Sequence, residues 1–405
     1  MSRFRLQDFI ATYVTERQES LFATDLERNR DLLNERIGGR SVLVIGGAGT
    51  IGSSFIHAIL KYRPRSLYVI DTNENGLTEL TRDLRSSFDL QIPEEYLTYP
   101  IDFGGRVFEK VFRDKGPFDI VANFAAHKHV RSEKDQFSIE AMIENNIIKA
   151  KRLLDLLIPS PPQHFFCVST DKAANPVNVM GASKKLMEET ILAYSADMPI
   201  TTARFANVAF SNGSLLYGFI ERMVKQQPLS APRDVRRYFV SPEESGQLCL
   251  LACVLGESGD IFFPKLDPTQ MKTFADIAVD FLREYAGYTH DECSSEQEAR
   301  SAAAELGPES STYPVFFFQS DTSGEKPFEE FYTRAEVIDV ERFKELGVVK
   351  NAKRRKREEI ENLIKHLESL FEGEKTTKAE VVEVLGHLVP GFDHIETGKS
   401  LDQKM

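Results

Sequence analysis

The sequence has 405 residues, enough for two or three domains of ordinary size, and 41% of them are hydrophobic, which suffices for a packed core. The formal net charge of −12 argues against broad nucleic-acid binding, because a phosphate backbone attracts a basic surface. No apolar run approaches the roughly 20 residues that cross a bilayer, and the first residues lack the apolar stretch of a signal peptide. We therefore expect a cytoplasmic protein that neither spans a membrane nor binds nucleic acid.

Residues 1–39 are predicted to form an N-terminal helical extension. Apolar residues at positions 9, 10, 13 and 14 recur at helical spacing, and a second apolar set follows before the break at Gly38 and Gly39. The pattern gives no indication of what this extension does.

From residue 40 to residue 206, short β-branched runs alternate with helical patterns. This alternation is typical of βαβ units and predicts an α/β fold, a Rossmann-type doubly wound parallel sheet with right-handed crossovers. Five strands have predicted bounds: the first is Ser41–Ile45, the second Ser66–Asp71, the fourth Phe118–Phe124, the fifth His164–Ser169 and the sixth Ile200–Phe205. A third strand, without stated bounds, is expected to end near Asp102.

The alternation becomes irregular in residues 207–345, which we interpret as a smaller substrate-binding region. Within it, the polar residues 291–311 are predicted to be a surface excursion. Residues 346–405 are predicted to form a C-terminal helix and arm. The basic tract Lys350–Arg357 is predicted to be a solvated helix start whose charges face water and the acidic residues just beyond it.

Cysteine and histidine spacing predicts neither a redox site nor a metal. The four cysteines form no CxxC pair, and Cys249 and Cys253 lie one helical turn apart in an apolar run, where buried thiols are expected. The eight histidines show no HExxH or clustered spacing, so a catalytic metal is not expected.

A glycine-rich turn follows the first predicted strand and opens a helix. Gly46, Gly49 and Gly52 form a GxxGxxG pattern, with Thr50 and Ile51 at the start of the helix. Glycines permit a tight turn and a close approach to a pyrophosphate, and the helix N-terminus supplies free N–H groups. The turn therefore predicts a dinucleotide site.

Three further residues extend this predicted site. Asp71 ends the next strand, 19 residues beyond Gly52, where a carboxylate would bind the adenosine ribose hydroxyls. Residues 71–74 have no arginine nearby, which favours NAD over NADP. Asp102 follows the third strand and is predicted to contact the adenine amino group. Ala125 follows the fourth strand, where a small residue lets the backbone pass under the cofactor.

The fifth strand runs into Thr170, Asp171 and Lys172, and Lys184 follows in the next helix. Short-chain dehydrogenases carry a strand-end Ser/Thr here and then a YxxxK pair, in which the tyrosine is the base and the lysine binds the nicotinamide ribose. Lys184 has the spacing of that lysine, but Met180 occupies the tyrosine position and cannot take a proton.

These segments resemble bacterial nucleotide-sugar 4,6-dehydratases, the polysaccharide-biosynthesis branch of the extended short-chain dehydrogenases, best known for acting on UDP-N-acetylglucosamine. The resemblance is strong over about residues 40–290 and looser beyond. Residues 1–40 depart from the shorter members, whose chains open at the first strand. The segments that carry the likeness are Ala125–Val130, Ser169–Ala173, Asn178–Lys184, Arg204–Val208, Arg237–Val240, Gly324–Pro327 and His394–Lys399.

The resemblance implies a lyase that oxidises the sugar at carbon 4, eliminates water across carbons 5 and 6, and returns the hydride to carbon 6. Lys172 would be the base at carbon 5, assisted by Lys184, and Asp171 would protonate the leaving hydroxyl. Thr170 would hydrogen-bond the carbon-4 hydroxyl. The base for the first oxidation is unassigned, and we hypothesise Asp171 or a relay through Thr170.

Four residues are predicted substrate contacts. Lys128 lies after the fourth strand, and Met180 lies in the helix that carries Lys184. The amide of Asn207 and the two-pronged guanidinium of Arg237 are suited to hydrogen bonding with a nucleotide diphosphate. For Asn207 and Arg237 the alternative is a structural hydrogen bond or a surface ion pair.

Two other functions stay open. A nucleotide-sugar 4-epimerase also oxidises carbon 4, but it needs no acid–base pair at carbons 5 and 6. A catalytically dead NAD-binding scaffold would account for the missing tyrosine, although the retained Asp171 and Lys172 argue against it. We also expect a homo-oligomer, because the helices after the fourth and fifth strands commonly pair across a twofold axis in the family.

Overall fold

The computed structural model describes residues 5–373 and 376–398. Residues 1–4 of the predicted extension, and Lys399 with the remainder of the predicted arm, lie outside the described residues. The helices are α1 (Leu6–Phe9), α2 (Ala23–Arg28), α3 (Arg30–Ile37), α4 (Thr50–Leu60), α5 (Glu74–Ser86), α6 (Arg106–Lys115), α7 (Gln136–Ile143), α8 (Lys149–Leu157), α9 (Val179–Leu192), α10 (Leu215–Val224), α11 (Pro242–Leu255), α12 (Phe274–Asp280), α13 (Glu296–Ala304), α14 (Arg357–Phe371) and α15 (Lys378–Leu388).

The strands belong to one large sheet and three small ones. They are β1 (Ser41–Ile45), β2 (Ser66–Asp71), β3 (Glu95–Pro100), β4 (Ile120–Asn123), β5 (His164–Val168), β6 (Ile200–Ala203), β7 (Asn207–Val208), β8 (Leu229–Pro232), β9 (Arg236–Arg237), β10 (Phe239–Val240), β11 (Ile261–Pro264), β12 (Lys272–Thr273), β13 (Thr289–Glu292), β14 (Thr312–Phe318), β15 (Ile338–Asp339) and β16 (Leu346–Val349).

The large sheet has nine strands in the order β15-β16-β11-β6-β5-β4-β1-β2-β3. The strands from β11 to β3 run parallel, and β16 and β15 complete the edge in antiparallel pairing. Strands β1, β4 and β6 are buried along their whole length, as expected when helices cover both faces of a parallel sheet. The predicted doubly wound fold is confirmed, and each of the five predicted strands lies in this sheet.

The sheet extends beyond residue 206, where the sequence analysis ended the nucleotide-binding domain. Strand β11 pairs with β6, and β16 pairs with β11, so segments from both later regions complete the same layer. Helix α11 also packs against α4, the helix that follows the glycine turn. A segment that comes late in the chain can therefore lie in the same layer as the early strands, because a parallel sheet can add a strand from any later crossover.

The smaller region has a three-stranded sheet, β13-β14-β8, and an apolar cluster of its own. Residues 291–311, predicted as a surface excursion, instead contribute the end of β13 and helix α13 to it. Cys293, Ala299 and Ala303 are buried there, so this polar segment is part of the packed structure. The expected burial of Cys249 and Cys253 is confirmed.

The N-terminal extension is helical, as predicted, and joins both regions. Phe9 is fully buried in the cluster of the smaller region, whereas Phe22 and Leu33 are buried in the cluster that covers the large sheet. Between them, Arg17 forms a bidentate ion pair with Glu244 of α11, at 2.8 and 2.7 Å. The extension therefore fastens the smaller region to the nucleotide-binding layer.

The two C-terminal helices cover the helix that follows β5. Every residue of α9 except Lys185 is buried, and its apolar side chains share a cluster with Leu367 of α14 and Leu385 of α15. A second copy could reach this face of α9 only by displacing α14 and α15. The structure therefore does not present the twofold pairing face that we expected, and assembly through another surface stays a prediction.

The basic tract Lys350–Arg357 precedes α14 and contacts acidic groups elsewhere in the chain. Lys350 pairs with Glu257 and Asp260 at 2.7 and 2.8 Å. Arg355 pairs with Glu189 of α9. The expectation that the tract faces the acidic residues just beyond it is wrong for these two side chains, which fasten the C-terminal helices to the sheet layer.

Candidate active site

The glycine turn lies where the order of the large sheet reverses, between β1 and β4. Gly46 has a φ of +77°, and a Cβ there would lie 2.4 Å from the backbone nitrogen of Ala125. A Cβ at Gly52 would lie 2.3 Å from the carbonyl oxygen of Gly46, whereas one at Gly49 would meet that oxygen at an ordinary 3.5 Å. The turn thus packs tightly against neighbouring backbone at Gly46 and Gly52, whereas Gly49, which precedes the first residue of α4, has only an ordinary contact. This cradle fits a dinucleotide pyrophosphate.

Asp71, at the end of β2, holds the same turn. Its Oδ2 accepts a hydrogen bond from the backbone nitrogen of Ala48 at 2.9 Å, and its Oδ1 accepts one from Asn73 at 2.9 Å. The carboxylate is only half-buried, so it is accessible from the edge where an adenosine ribose would lie. Thr50 Oγ1 accepts from the backbone nitrogen of Asn212 at 2.9 Å, which ties the smaller region to the turn.

Asp102 forms an ion pair that the sequence analysis missed. Its Oδ2 lies 2.5 Å from Lys149 Nζ on α8, and its Oδ1 accepts from the backbone nitrogen of Gly104 at 2.8 Å. Burial opposes ionisation, but these hydrogen bonds outweigh it and hold the pKa of Asp102 below its usual value. The carboxylate is thus charged and oriented, and its predicted contact with adenine stays a prediction.

The residues after β5 form a compact acid–base group. Thr170 Oγ1 donates to Asp171 Oδ1 at 2.8 Å, and Lys172 Nζ donates to the same oxygen at 3.1 Å. Thr170 also caps the single 3₁₀ turn Asp171–Ala173, which aims the lysine back at the aspartate. Asp171 is 4% exposed, whereas Thr170 and Lys172 are half-buried, so the shared oxygen is shielded and the lysine stays partly accessible. The structure therefore brings together three of the four predicted catalytic residues.

Lys184 lies beneath this group rather than beside it. Its ammonium is buried and donates to the carbonyl oxygen of Val168, the last residue of β5, at 3.0 Å. Burial lowers the pKa of Lys184, although Cys167 and Glu188 oppose this. Lys184 thus supports the strand end from which Thr170 follows, and its predicted help to Lys172 stays a prediction.

The predicted substrate contacts have different surroundings. Lys128 is exposed on the loop after β4. Met180 is 2% exposed and packs in the apolar cluster of α7, α9, α14 and α15, so the residue that replaces the expected tyrosine fills the core. Asn207 is half-buried on β7, and its backbone nitrogen donates to the carbonyl oxygen of Tyr238 at 3.0 Å.

Arg237 is 5% exposed and holds a loop of its own protein. Its Nη1 donates to the carbonyl oxygens of Lys326 and Pro327 at 2.9 and 3.2 Å. Its Nη2 lies 3.8 Å from Glu325 and 3.9 Å from Glu329. Arg237 therefore makes structural hydrogen bonds within the protein, and its contact with a diphosphate stays a prediction.

Glu329 is a site residue that the sequence analysis missed. Only 3% of its side chain is exposed, and its Oε1 lies 3.8 Å from Lys172 Nζ. The nearest sequence signal is the Gly324–Pro327 segment, which carries family likeness and ends two residues before Glu329.

One group of side chains has the composition of a metal site. Glu133, His394 and Glu396 place their ligand atoms within 4.8 Å of one another. The ammonium of Lys378 lies 3.4 Å from Glu133 and 2.7 Å from Glu396, so a cation already balances these carboxylates. His394 also pairs with Glu133 and fixes the C-terminal arm to the loop after β4.

The fold and the site define a Rossmann-type α/β protein with a glycine-rich cradle and a Thr-Asp-Lys group, whose aspartate is buried, at one sheet edge. The chain belongs to the polysaccharide biosynthesis protein family, whose sequence model matches residues 42–350. Across the part of the chain that the structure describes, no helix is both long and apolar enough to cross a membrane.

Curated relatives cover the chain to different extents. It is 29% identical to an uncharacterized membrane protein, MJ1061, of Methanocaldococcus jannaschii, over 76% of this chain and 85% of that protein. It is 28% identical to the capsular polysaccharide biosynthesis protein CapD of Staphylococcus aureus over 65% of this chain, yet spans only 44% of CapD. A UDP-N-acetylglucosamine 4,6-dehydratase (inverting) of Campylobacter jejuni is 26% identical over 58% of this chain and 70% of the relative.

Epimerases are similar as well. A UDP-glucose 4-epimerase of Rickettsia typhi is 26% identical over 66% of this chain and 81% of its own length. Among solved structures, Pen from Bacillus thuringiensis superimposes with a TM-score of 0.62 at 20% identity, covering 82% of this chain and 98% of Pen. At that identity the likeness establishes the fold.

Proposed function

We propose that the protein is an NAD-dependent nucleotide-sugar 4,6-dehydratase that converts UDP-N-acetylglucosamine to a UDP-4-keto-6-deoxy sugar. The observation that carries this proposal is the contact between Asp171 and Lys172 at the sheet edge that also holds the glycine turn. Elimination of water needs an acid and a base side by side, whereas epimerisation at carbon 4 does not. The 4,6-dehydratase of C. jejuni supports the same reaction class.

The described residues fit the cofactor. The cradle from Gly46 to Gly52 would hold the pyrophosphate, and Asp71 would accept hydrogen bonds from the ribose hydroxyls. A carboxylate at Asp71 disfavours the 2′-phosphate of NADP because the two groups carry like charge. When bound, NAD would accept a hydride from carbon 4 and return it to carbon 6, so the reaction has no net redox change.

Asp171 and Lys172 would carry out the elimination. A ketone at carbon 4 makes the carbon-5 hydrogen acidic, and the Lys172 amine would accept that proton. Asp171 would give its proton to the carbon-6 hydroxyl, which leaves as water.

The hydrogen bond from Thr170 to Asp171 supports a relay for the first step. With methionine at position 180, the proton of the carbon-4 hydroxyl needs another acceptor. Thr170 Oγ1 could receive it from the sugar and pass its own proton to Asp171 across the observed 2.8 Å bond. Asp171 would then be protonated when the elimination begins.

The test is incubation of the purified protein with UDP-N-acetylglucosamine, without added cofactor, followed by proton NMR. We expect loss of one water and a new methyl doublet. Asp171→Asn should abolish the doublet, whereas Asp114→Asn, at an exposed aspartate of α6, should retain it. An active Asp171→Asn variant would contradict the assigned acid.

The alternative is a nucleotide-sugar 4-epimerase, favoured by the likeness to the UDP-glucose 4-epimerase of R. typhi. The same NMR experiment separates the two, because an epimerase would invert carbon 4 and leave the carbon-6 hydroxymethyl signals in place. Failure to convert UDP-, GDP-, CDP- or dTDP-sugars would favour the NAD-binding scaffold.

A further inference from the structure

Glu329, a buried carboxylate that the mechanism above leaves unused, lies among three cations. Its Oε1 is 3.8 Å from Lys172 Nζ and 3.9 Å from the guanidinium of Arg237, and its Oε2 is 3.8 Å from Lys326 Nζ. All three distances exceed the length of a hydrogen bond. The carboxylate is therefore close to the proposed base without being fixed to it, and a proton would pass between them when the side chains close to hydrogen-bond length or through one water.

The backbone, rather than these ion pairs, sets the position of Glu329. Arg237 donates to the carbonyl oxygens of Lys326 and Pro327, and the backbone nitrogen of Arg236 donates to Pro327 at 3.0 Å. These bonds attach the segment that carries Glu329 to strand β9. A change in the protonation of Glu329 would leave them intact.

The surroundings favour a carboxyl that can hold a proton. Burial raises the pKa of Glu329, and the charge of Asp171 raises it further, although Lys172, Arg237 and Lys326 oppose this. Glu325 lies 3.8 Å from Arg237 and shares the charge of that guanidinium. Two carboxylates, Asp171 and Glu329, thus flank one lysine amine.

The proposed reaction needs an acceptor for the proton that Lys172 loses. Asp171 gains a proton from the carbon-4 hydroxyl during oxidation. Lys172 forms an ion pair with Asp171 at 3.1 Å and must lose a proton before its nitrogen can accept the carbon-5 proton. Once Asp171 is protonated it cannot take this proton as well, so a second acceptor is required.

We propose that Glu329 takes this proton from Lys172 and returns it at the end of each turnover. The inference rests on the proposed dehydratase function and adds a residue to it. Glu329 acts through Lys172 and is a positioning residue, since it needs no contact with the sugar.

The cycle balances. It starts from Lys172 ammonium with Asp171 and Glu329 as carboxylates. Oxidation protonates Asp171, and transfer from Lys172 protonates Glu329. In the elimination, the Lys172 amine takes the carbon-5 proton while Asp171 gives its proton to the leaving hydroxyl. After hydride return to carbon 6, Lys172 gives a proton to carbon 5 and regains the one held on Glu329. The substrate has lost one water, and the three side chains are as they began.

The first test is substrate-free. As the pH is lowered from the assay value, at which Glu329 is a carboxylate, infrared difference spectra between the wild-type protein and Glu329→Gln should show a protonated-carboxyl band that is already present above the ordinary glutamate pKa of about 4.3. Glu330→Gln, at the exposed neighbouring glutamate, is the matched control and should keep the band, as should the conservative Glu329→Asp. A wild-type band that disappears in the ordinary range would overturn the proposal.

The second test is kinetic. With nucleotide sugar in deuterated water, Glu329→Gln should slow deuterium entry at carbon 5 by about 100-fold. Its rate should rise with pH where the wild-type rate is flat, because solvent must then deprotonate Lys172. An unchanged rate and pH profile in Glu329→Gln would overturn the role of Glu329. A wild-type protein that converts no nucleotide sugar would instead overturn the proposed function, whatever the infrared band shows.

Discussion

Arg204 and Glu188 form a buried bidentate ion pair next to the strand end that leads into the Thr170–Lys172 group. The two N–O distances are 2.9 and 2.8 Å, and the side chains are 0% and 1% exposed. Glu188 Oε1 also accepts from Ser169 Oγ at 2.6 Å, one residue before Thr170. Arg204 further binds Glu336. The pair thus connects α9, β6 and the residues that lead into the acid–base group.

Removal of the guanidinium should therefore destabilise the protein strongly. Arg204→Met would leave Glu188 buried without its main partner, and breaking a buried pair in this way costs about 3–5 kcal/mol of unfolding free energy. Urea unfolding measures the change. Arg82→Met, which breaks an exposed pair with Glu79, should cost about 1 kcal/mol or less. Equal losses in both variants would contradict the importance of burial.

The dinucleotide cradle should depend on Gly46 for steric reasons. Gly46→Ala would place a Cβ 2.4 Å from the backbone of Ala125 at a φ of +77°. We expect NAD affinity, measured by calorimetry, to fall about tenfold or more. Gly39→Ala shares a positive φ of +71° but meets nothing within 4 Å, so its NAD affinity should be unchanged. Wild-type affinity in Gly46→Ala would place the cofactor elsewhere.

The unfolding free energy should decrease as the pH is lowered, because of His164 at the start of β5. Burial, with help from Arg36 and Arg40, lowers the pKa of His164 from 6.5 to about 4. The unfolded chain binds the proton of this histidine more readily than the folded chain does. His164 therefore leaves the unfolding free energy unchanged above pH 6.5 and lowers it progressively as the pH falls toward 4. The full effect is about 3 kcal/mol.

Unfolding of His164→Gln across this pH range checks the sign. The variant should show a flatter decline in stability than the wild-type protein, whereas His290→Gln, at an exposed histidine of β13, should decline as the wild type does. A wild-type slope in His164→Gln would assign the acid sensitivity to other groups.

The N-terminal extension should contribute to stability through Phe9. This side chain is fully buried against Phe210 and Phe281 of the smaller region, and truncation to alanine at such sites costs about 3–5 kcal/mol. Phe88→Ala, at a fully exposed phenylalanine, should change the unfolding free energy by less than about 0.5 kcal/mol. If Phe9→Ala is equally mild, the extension does not fasten the smaller region.

The parts of the site that lie close together in sequence could be predicted from it. The turn from Gly46 to Gly52 and the group from Thr170 to Lys172 each follow a strand within a few residues. The strand pattern and the motif therefore support the same assignment. Their meeting at one sheet edge follows from the parallel topology. The fold class was predictable for the same reason.

Charged residues that become buried could not be predicted in this way. Glu329, Glu188 and Lys149 have the residue types of a solvated surface, and their partners are distant in sequence. Only the folded chain shows that Glu329 faces Lys172. The basic tract illustrates the converse error, because Lys350 and Arg355 pair with acids from other elements rather than with the adjacent helix.

The covering of α9 by α14 and α15 has a consequence for synthesis. A ribosome completes α9 long before it reaches residues 357–388, so the apolar outer face of that helix stays uncovered until α14 and α15 have been synthesised. A nascent chain halted in between would display Leu186 and its neighbours as an unpaired apolar surface, the kind that draws chaperones or aggregates. Helix α9, which carries Lys184, therefore reaches its packed environment only after both of these helices have emerged.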